Sequence, residues 1–264
     1  MTDYIQLGYL DLLPAALLVI FNAGLSILMQ LGLLRVLAVS VIRMVIQLSL
    51  IGLILTWLFD SANPVFILGI ALVMLLLAGR EAWARQDKKF SGIWGYGIGT
   101  GAMLMAASLA TAVGLGSAIR PDPWYMPQYA IPMLGMILGN CLTGISLGLD
   151  TLTATALRER QAIESRLALG QPRLIALSGV TRQAMRTGMM PIINSMAATG
   201  IISLPGMMTG QILAGVEPMQ AIQYQMLIMF LIFGGTGLGV ITAVGLGILR
   251  LTDQRHRLRL DRLQ

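Results

Sequence analysis

Charged residues are scarce in this chain. Asp, Glu, Lys and Arg together make up 11% of its 264 residues, whereas hydrophobic residues make up 56% and the mean hydropathy is +0.78. A soluble globular domain has about 25% charged residues, so this composition excludes that class of protein. The chain is therefore predicted to be an integral membrane protein.

The residues that carry most enzyme and metal chemistry are also nearly missing. The only cysteine, Cys141, lies within an apolar run, and the only histidine, His256, lies near the C-terminus. One cysteine excludes a disulfide or a thiolate cluster within the chain, and one histidine excludes an H-E-x-x-H zinc motif. Residues 144–148 fit the G-x-S-x-G nucleophile pattern, but they lie in the middle of an apolar run without a histidine base, so we interpret the match as chance.

A nucleotide-binding loop is absent as well. The only lysines, Lys88 and Lys89, follow Gln86 and Asp87 and not a glycine-rich loop, so the sequence has no ATPase motif of that type. The chain is predicted not to be an enzyme and to bind no cofactor of its own. If ATP drives it, ATP and Mg²⁺ belong to a separate subunit.

What the chain does contain is a series of apolar runs. Each is long enough to cross a bilayer as a helix, since a crossing needs about 20 residues. We count seven of them, at 11–33, 36–59, 63–79, 92–118, 128–149, 190–216 and 219–249. The predicted fold is an all-α integral membrane protein of about seven transmembrane helices, in one domain that covers residues 1–264.

Basic residues alternate from loop to loop. They follow the first, third, fifth and last runs, whereas the other loops contain only Arg120. By the positive-inside rule, the N-terminus lies outside and the C-terminus lies in the cytoplasm. This distribution accounts for the net charge of +6 without a nucleic-acid partner. The basic tail, 250–264, is predicted to be an anchor at the cytoplasmic surface of the bilayer.

The most basic loop, residues 151–190, holds six arginines and is predicted to be a cytoplasmic helical hairpin. Its two short helices are expected at 151–169 and 172–189. Gly170 is placed to end the first helix in the left-handed conformation, and Pro172 is placed to begin the second. Such a hairpin is suited to contact a partner outside the bilayer. The alternative is a loop that is solvated or bound to lipid headgroups.

Polar side chains within the apolar runs are candidates for function, because burying them in lipid is costly. Arg43 and Gln47 share one helix face and are interpreted as structural. The sixth run is expected to be kinked or broken near Pro205, because proline removes a backbone donor. Broken helices in membranes line cavities, and a simple kink is the alternative. The candidates for lining a pathway are Asn140, Asn194, Ser195, Pro205, Met207, Met208 and Gln211.

Glycine and methionine are abundant, with 30 and 18 residues. Glycines that stand four apart are interpreted mostly as helix-packing seams, with contacts between two copies among them. The methionines are interpreted as adaptable filler, and a thioether pathway for a metal ion is the alternative. The glycine pairs are Gly95/Gly99, Gly97/Gly101, Gly135/Gly139, Gly144/Gly148, Gly206/Gly210 and Gly235/Gly239.

One stretch resembles a known family. It consists of Asn194-Ser195-Met196, the run SLPGMMTGQILAG at 203–215, and Pro218, Ala221, Tyr224 and Gln225. It is similar to the FetB/YbbM-type permeases, and the similarity in length and span pattern extends over nearly the whole chain. These are membrane subunits of bacterial ABC transporters with plant relatives linked to aluminium tolerance. The resemblance implies a homodimeric permease in the bacterial cytoplasmic (inner) membrane that exports iron or another metal with a separate FetA-type ATPase.

The same resemblance gives the hairpin a role. ABC permeases present a coupling helix to the ATPase, often with an E-A-A-x-x-x-G pattern. Residues 164–170 keep the Glu and the Gly but lack both alanines and the following I-x-L-P. The residues implied for ATPase coupling are Glu164, Arg166, Gly170, Pro172 and Arg173.

Three other functions remain open from the sequence. One is a gradient-driven secondary transporter or channel, although only one obvious helix break is present. Another is an ABC permease for a nucleotide sugar, which the plant relatives suggest. The third is a membrane scaffold or receptor without transport.

Overall fold

The structure is a computed structural model that describes residues 8–61 and 63–264. These residues are almost entirely helical, with short helical turns at Tyr9–Leu12, Gly114–Ile119 and Leu260–Arg262. The α-helices are α1 (Leu13–Leu28), α2 (Leu34–Ser61), α3 (Pro64–Ala84), α4 (Ile93–Val113), α5 (Pro127–Arg158), α6 (Arg160–Ala168), α7 (Arg173–Ala176), α8 (Ser178–Ala198), α9 (Gly206–Leu213) and α10 (Pro218–Leu251).

Six helical segments of the described chain are long and apolar enough to cross a membrane. They coincide with six of the seven predicted runs, so the all-α membrane fold is confirmed. The exception is the predicted run 190–216, which is not one helix: α8 ends at Ala198 and α9 begins at Gly206. The six segments are Leu10–Leu28, Leu34–Phe59, Pro64–Ala84, Ile93–Ile119, Pro127–Arg158 and Pro218–Leu251.

Local chemistry explains where several of these helices begin. The side chain of Asn63 accepts a hydrogen bond from Val65 N at 2.9 Å, and Pro64 occupies the first turn of α3. Glu217 accepts from Gln220 N at 3.2 Å, and Pro218 follows it at the start of α10. In both cases a side-chain acceptor satisfies an amide that has no partner within the helix, and proline occupies a position that needs no donor.

The chain divides into two compact units. The first comprises residues 1–62 with 213–215 and contains α1 packed against α2. The second comprises residues 63–212 and 216–264, and α5 and α10 lie at its centre, in contact with each other and both with α4 and α8. In each of these two helices 56% of the apolar window is buried. The single domain expected from the sequence stays a prediction.

The crossing of α5 and α8 depends on two glycines. A Cβ on Gly144 of α5 would lie 2.8 Å from the carbonyl oxygen of Gly188 in α8, and a Cβ on Gly188 would lie 2.6 Å from that of Gly144. Val240 of α10 packs against the same crossing. Gly144 is therefore part of a packing seam, as predicted. A Cβ on Gly97 or Gly101 would have no neighbouring atom within 4 Å, so these two glycines form no seam with the described residues.

The loop 151–190 differs from its predicted form. It is not a separate pair of short helices, because α5 continues to Arg158 and is followed by α6 after Glu159, while α8 begins at Ser178. The predicted boundaries at 151 and 189 were therefore wrong, whereas the end of a helix at Gly170 was predicted correctly. The physical reason is that burial does not stop where the apolar run stops. Leu152, Ala156 and Leu177 are fully buried, so tertiary packing stabilises the helices beyond the end of the apolar run.

Candidate functional site

Three segments that are separate in sequence meet at one end of the second unit, which we call the basic end: residues 85–92, 150–177 and 250–264. Lys89 N donates to Gln264 O at 3.2 Å, Gln264 N donates to Lys89 O at 2.8 Å, and Ser91 N donates to Arg262 O at 2.8 Å. Asp87 N also donates to Asp150 Oδ1 at 3.0 Å. These bonds join the basic loops that the charge alternation assigned to the cytoplasmic side.

The C-terminal tail is docked by apolar packing as well as by these bonds. Phe90 is 1% exposed and pairs across a backbone bridge with Leu263. Leu258, Leu260 and Leu263 pack against the hydrophobic core to which Phe90 belongs. The tail is therefore a packed part of the basic end and not only the surface anchor that its sequence predicts.

The turn between α6 and α7 has the conformation that the sequence predicts. Gly170 has φ +84°, Gly170 N donates to Leu167 O at 3.0 Å, and Gln171 N donates to Arg166 O at 3.1 Å. This pair of bonds is the Schellman pattern that ends helices at a left-handed glycine. Pro172 is not the first residue of the next helix as predicted. It precedes α7, and its carbonyl accepts from Ile175 N and Ala176 N.

Arginines hold this turn in place on both sides. The guanidinium of Arg166 donates to Ala176 O at 3.2 Å, which ties α6 to α7. Glu164 pairs with Arg160 at 2.8 Å on the exposed face of α6. Arg173 N donates to Nδ1 of His256 at 3.2 Å, and Arg173 Nη1 donates to Asp253 O at 3.4 Å. Arg166 and Arg173 thus join the turn to α7 and to the tail, and a role in ATPase coupling for the five predicted residues stays a prediction.

Ion pairs organise the tail itself. Asp253 accepts from Arg257 N, Arg255 N and Arg257 Nε, each at 2.9 Å, and the backbone bond from Arg257 is the main cause that lowers the pKa of Asp253. The hydrogen bonds from Arg259 lower the pKa of Asp261 to about 2. Both carboxylates are therefore ionised at neutral pH and hold their arginines in fixed positions.

The tip of the hairpin presents apolar side chains to solvent. Leu169 is 84% exposed, Leu174 is 61% exposed and Ile175 is 57% exposed. We call these three residues the tip surface. They lie beyond the apolar part of α5, next to arginines on the predicted cytoplasmic side. Large apolar side chains that are exposed outside a bilayer are typical of a protein-binding surface.

The break that the sequence predicts near Pro205 is present. After α8 the chain turns at Gly200, which has φ +92° and donates to Ser203 O at 2.9 Å. Pro205 immediately precedes α9, and its carbonyl accepts from Thr209 N at 3.0 Å. Proline therefore starts a new helix here and does not kink a continuous one, so the alternative of a simple kink was wrong.

A cavity of about 430 Å³ lies between this break and α10. Its lining includes Met196, Pro205, Met208, Gln225, Met226 and Met229. Gln225 is 6% exposed, and its Oε1 has no hydrogen-bond partner within the described residues. Sequence reasoning selected Pro205 and Met208 for a pathway, but it missed the α10 residues. Their spacing of three and four, at 222, 225, 226 and 229, was the available signal, since it places them on one helix face.

The other predicted pathway residues lie elsewhere. Asn140 Nδ2 donates to Met136 O within its own helix at 2.9 Å, and Asn194 and Ser195 are exposed on α8. Met207 and Gln211 lie on α9 without lining the cavity, although Gln211 Oε1 is also buried without a partner among the described residues. A pathway role for these five stays a prediction.

The remaining polar candidates belong to the first unit. Arg43 and Gln47 lie one turn apart on α2, and both side chains are exposed. Their structural role stays a prediction.

The G-x-S-x-G match lies within α5. Ser146 donates to Leu142 O within the helix, so residues 144–148 are not the strand-to-helix turn of a nucleophile motif.

The usual metal-binding side chains do not cluster in the part of the chain that the structure describes. No group of three or more His, Cys, Asp or Glu residues is placed there to hold a metal ion. Any metal that this part of the chain binds would therefore need other ligands.

Comparison with known proteins identifies the family. The model of an uncharacterised protein family, UPF0014, matches residues 9–251. A UPF0014 membrane protein of Synechocystis is 37% identical over 72% of this chain and 73% of its own length. Escherichia coli "Probable iron export permease protein FetB" is 28% identical over 85% of each chain. Arabidopsis thaliana "Protein ALUMINUM SENSITIVE 3" is 32% identical over 77% of this chain and 72% of its own.

No solved structure matches this chain. The family model covers more than nine-tenths of the sequence, and the resemblance stated from residues 194–225 is confirmed by these relatives. The chain belongs to the UPF0014 family of multi-pass membrane proteins.

Proposed function

We propose that this chain is the membrane-spanning permease subunit of an ABC transporter that exports iron or another metal. A separate FetA-type ATPase supplies the energy and carries the ATP and Mg²⁺, and a second copy of this chain completes the permease. The name of the Escherichia coli relative, "Probable iron export permease protein FetB", supports export of a metal. This chain supplies the transport pathway and the surface that binds the ATPase.

The observation that carries the proposal is the tip surface on a braced hairpin. Leu169, Leu174 and Ile175 are exposed at a turn whose backbone is fixed by Gly170 and whose flanks are held by Arg166 and Arg173. Apolar side chains exposed to water are stabilised when a partner covers them. The tip surface, with arginines on both flanks, is therefore suited to bind in a groove on another protein.

The helices on either side of the tip surface are long enough to transmit a displacement into the membrane. At 1.5 Å per residue, α8 extends about 30 Å from Ser178 to Ala198, where the helix break begins. The crossing of Gly144 and Gly188 couples α8 to α5 without flexible side chains between them. A displacement of the tip surface by the ATPase would therefore move the wall of the cavity.

The alternatives make different demands on the chain. A proton- or sodium-driven carrier usually places acids within its spans, whereas Asp150 lies at the basic end and bonds to Asp87 N. A nucleotide-sugar permease would need donors for a diphosphate, and the lining of the cavity described above contains no basic residue. A scaffold or receptor without transport gives no reason for a cavity next to a helix break.

Transport into inside-out membrane vesicles tests the proposal. The chain is co-expressed with the ATPase encoded in the same genome, and uptake of a panel of metal ions that includes Fe²⁺ is measured with and without ATP. We expect accumulation that requires both proteins and ATP and that a protonophore does not abolish. Vesicles that contain an ATPase unable to hydrolyse ATP are the matched control.

Two results would contradict the proposal. Accumulation without ATP that a protonophore abolishes would identify a gradient-driven carrier. Uptake of a nucleotide sugar but of no metal ion would retain the ABC permease and replace its cargo.

A further inference from the structure

A second cavity, of about 500 Å³, lies at the basic end between the tail and Arg173, and we call it the arginine cavity. Asp253 is the only acidic residue among the described residues of its lining. The whole lining belongs to the second unit. Positive charge exceeds negative charge here, because four arginines line the cavity: Arg173, Arg255, Arg257 and Arg262.

Three of these guanidinium groups are bound to one short segment at the end of α10. Arg173 Nη1 donates to Asp253 O at 3.4 Å, and Arg262 Nη1 donates to Arg250 O at 2.8 Å. Arg257 Nε donates to Asp253 Oδ2 at 2.9 Å. Because all three bind within four consecutive residues of the chain, their positive charges are held close together.

Only one of these charges is neutralised within the described residues. The carboxylate of Asp253 forms its ion pair with Arg257, at 2.9 Å. Arg173 and Arg262 donate to backbone carbonyls, and no described carboxylate forms an ion pair with them or with Arg255. Like charges that are held together repel one another, so this cavity favours a bound anion.

The donors that remain are suited to phosphate. Arg173 and Arg262 use only Nη1 for the bonds above, so Nε and Nη2 of each have no acceptor among the described residues. A guanidinium group presents these N–H donors in a planar fork that matches the oxygens of a phosphate group. We propose that the arginine cavity binds a phosphate group. No residue of the tip surface lines it, so this site is additional to the proposed ATPase contact.

The surroundings favour a phospholipid as the source of that phosphate. Leu249 lines the cavity at the end of α10, and Leu246 lies one turn away on the same helix; both are exposed. An acyl chain can therefore lie along α10 while its phosphate group occupies the cavity. The guanidinium carbon of Arg250 lies 5.1 Å from the centre of the exposed Trp94 ring. Exposed tryptophans are typical of the headgroup level, where the cytoplasmic leaflet carries anionic lipids.

Native mass spectrometry of the full chain tests the inference without the ATPase. The chain is held in micelles that contain equal amounts of phosphatidylglycerol and phosphatidylcholine. We expect one phosphatidylglycerol per chain to be retained in preference to phosphatidylcholine, because the choline group cancels the charge of the phosphate. Dissociation constants are measured by titration with each lipid.

Titration with inorganic phosphate distinguishes the two sources of the same chemistry. Tighter binding of phosphatidylglycerol than of inorganic phosphate would support a lipid headgroup as the ligand. Tighter binding of inorganic phosphate would support a soluble phosphate compound in the same cavity.

The decisive variant combines Arg255→Gln with Arg262→Gln, which removes two guanidinium groups from the cavity. Loss of these charge-assisted hydrogen bonds is expected to weaken binding of phosphatidylglycerol about tenfold or more. The matched control combines Arg182→Gln with Arg186→Gln, which changes the net charge equally at exposed residues of α8 outside the cavity. It is expected to retain most of the affinity.

Arg255→Gln alone keeps the test valid if the double variant fails to fold. The guanidinium of Arg255 has no hydrogen bond within the described residues, so the docked tail does not depend on it. We expect this variant to weaken binding about threefold. Equal weakening by the two double variants would overturn the inference, because it would indicate diffuse attraction to a basic surface. Failure to bind either phosphatidylglycerol or inorganic phosphate would also overturn it.

Discussion

At the scale of single residues, Gly144 and Gly188 make a close contact between two helix backbones of the second unit. The two helix backbones approach so closely that a methyl group on either residue would overlap the carbonyl oxygen of the other. Overpacking of this kind forces backbone shifts that cost about 1–3 kcal/mol. We expect Gly144→Ala to lower the free energy of unfolding by that amount, measured by denaturant titration of the purified chain in mixed micelles.

Gly139→Ala is the matched control, because Gly139 lies on the same helix and has no neighbouring atom within 4 Å. It is expected to be neutral or slightly stabilising, since alanine favours a helix by about 1 kcal/mol over glycine. Equal destabilisation by the two substitutions would show that the crossing is not tightly packed.

Residue chemistry also decided which sequence predictions succeeded. The turn at Gly170 and the break at Pro205 could be predicted because each depends on the backbone limits of one residue. Gly97 and Gly101 have the same spacing as Gly144 and Gly148, yet only the second pair is packed within the chain. The spacing of small residues indicates where two helices can approach, and it does not specify whether a partner is there.

At the scale of elements, the docked tail is the largest feature that the sequence did not reveal. The tail and the α3–α4 loop pair through Lys89 and Gln264, which are far apart in the chain and follow no common periodicity. Hydropathy located the apolar helices well, because each is defined by a local run. Contacts between distant loops depend on packing that no local pattern encodes.

Phe90 is expected to hold the tail in place. Phe90→Ala removes a fully buried ring and leaves a cavity, which costs about 3–5 kcal/mol for a phenylalanine. We expect the amides of Ser91, Gln264 and Arg259 to exchange with solvent faster in this variant, because their backbone bonds depend on the docked tail. Hydrogen exchange followed by mass spectrometry measures this directly.

Trp124→Ala is the control, since Trp124 is also aromatic but is 66% exposed. Exchange in the tail is expected to be unchanged in it. If Phe90→Ala left the exchange of these amides at the wild-type rate, the tail would be held by its ion pairs alone.

At the scale of the whole molecule, the basic end and the helix break are joined by α8. Its first turn follows α7 at the tip of the hairpin, and its last residues lead into the break that lines the cavity. α8 therefore connects the tip of the hairpin to the cavity by one helix. The span positions and basic loops of this arrangement could be predicted from the sequence, whereas the continuity of α8 through residue 190 could not.

The central claim is that the turn at Gly170 couples this chain to an ATPase, and ATP hydrolysis by the assembled complex in nanodiscs tests it most directly. Gly170→Val places a β-branched residue at φ +84°, a strain of about 1–2 kcal/mol, so we expect hydrolysis to fall about fivefold or more. Gly170→Asn is the matched control, because asparagine tolerates this conformation, and it is expected to retain most of the activity. Both variants should insert into the membrane like the wild type. Hydrolysis at the wild-type rate in the Gly170→Val complex would contradict the account.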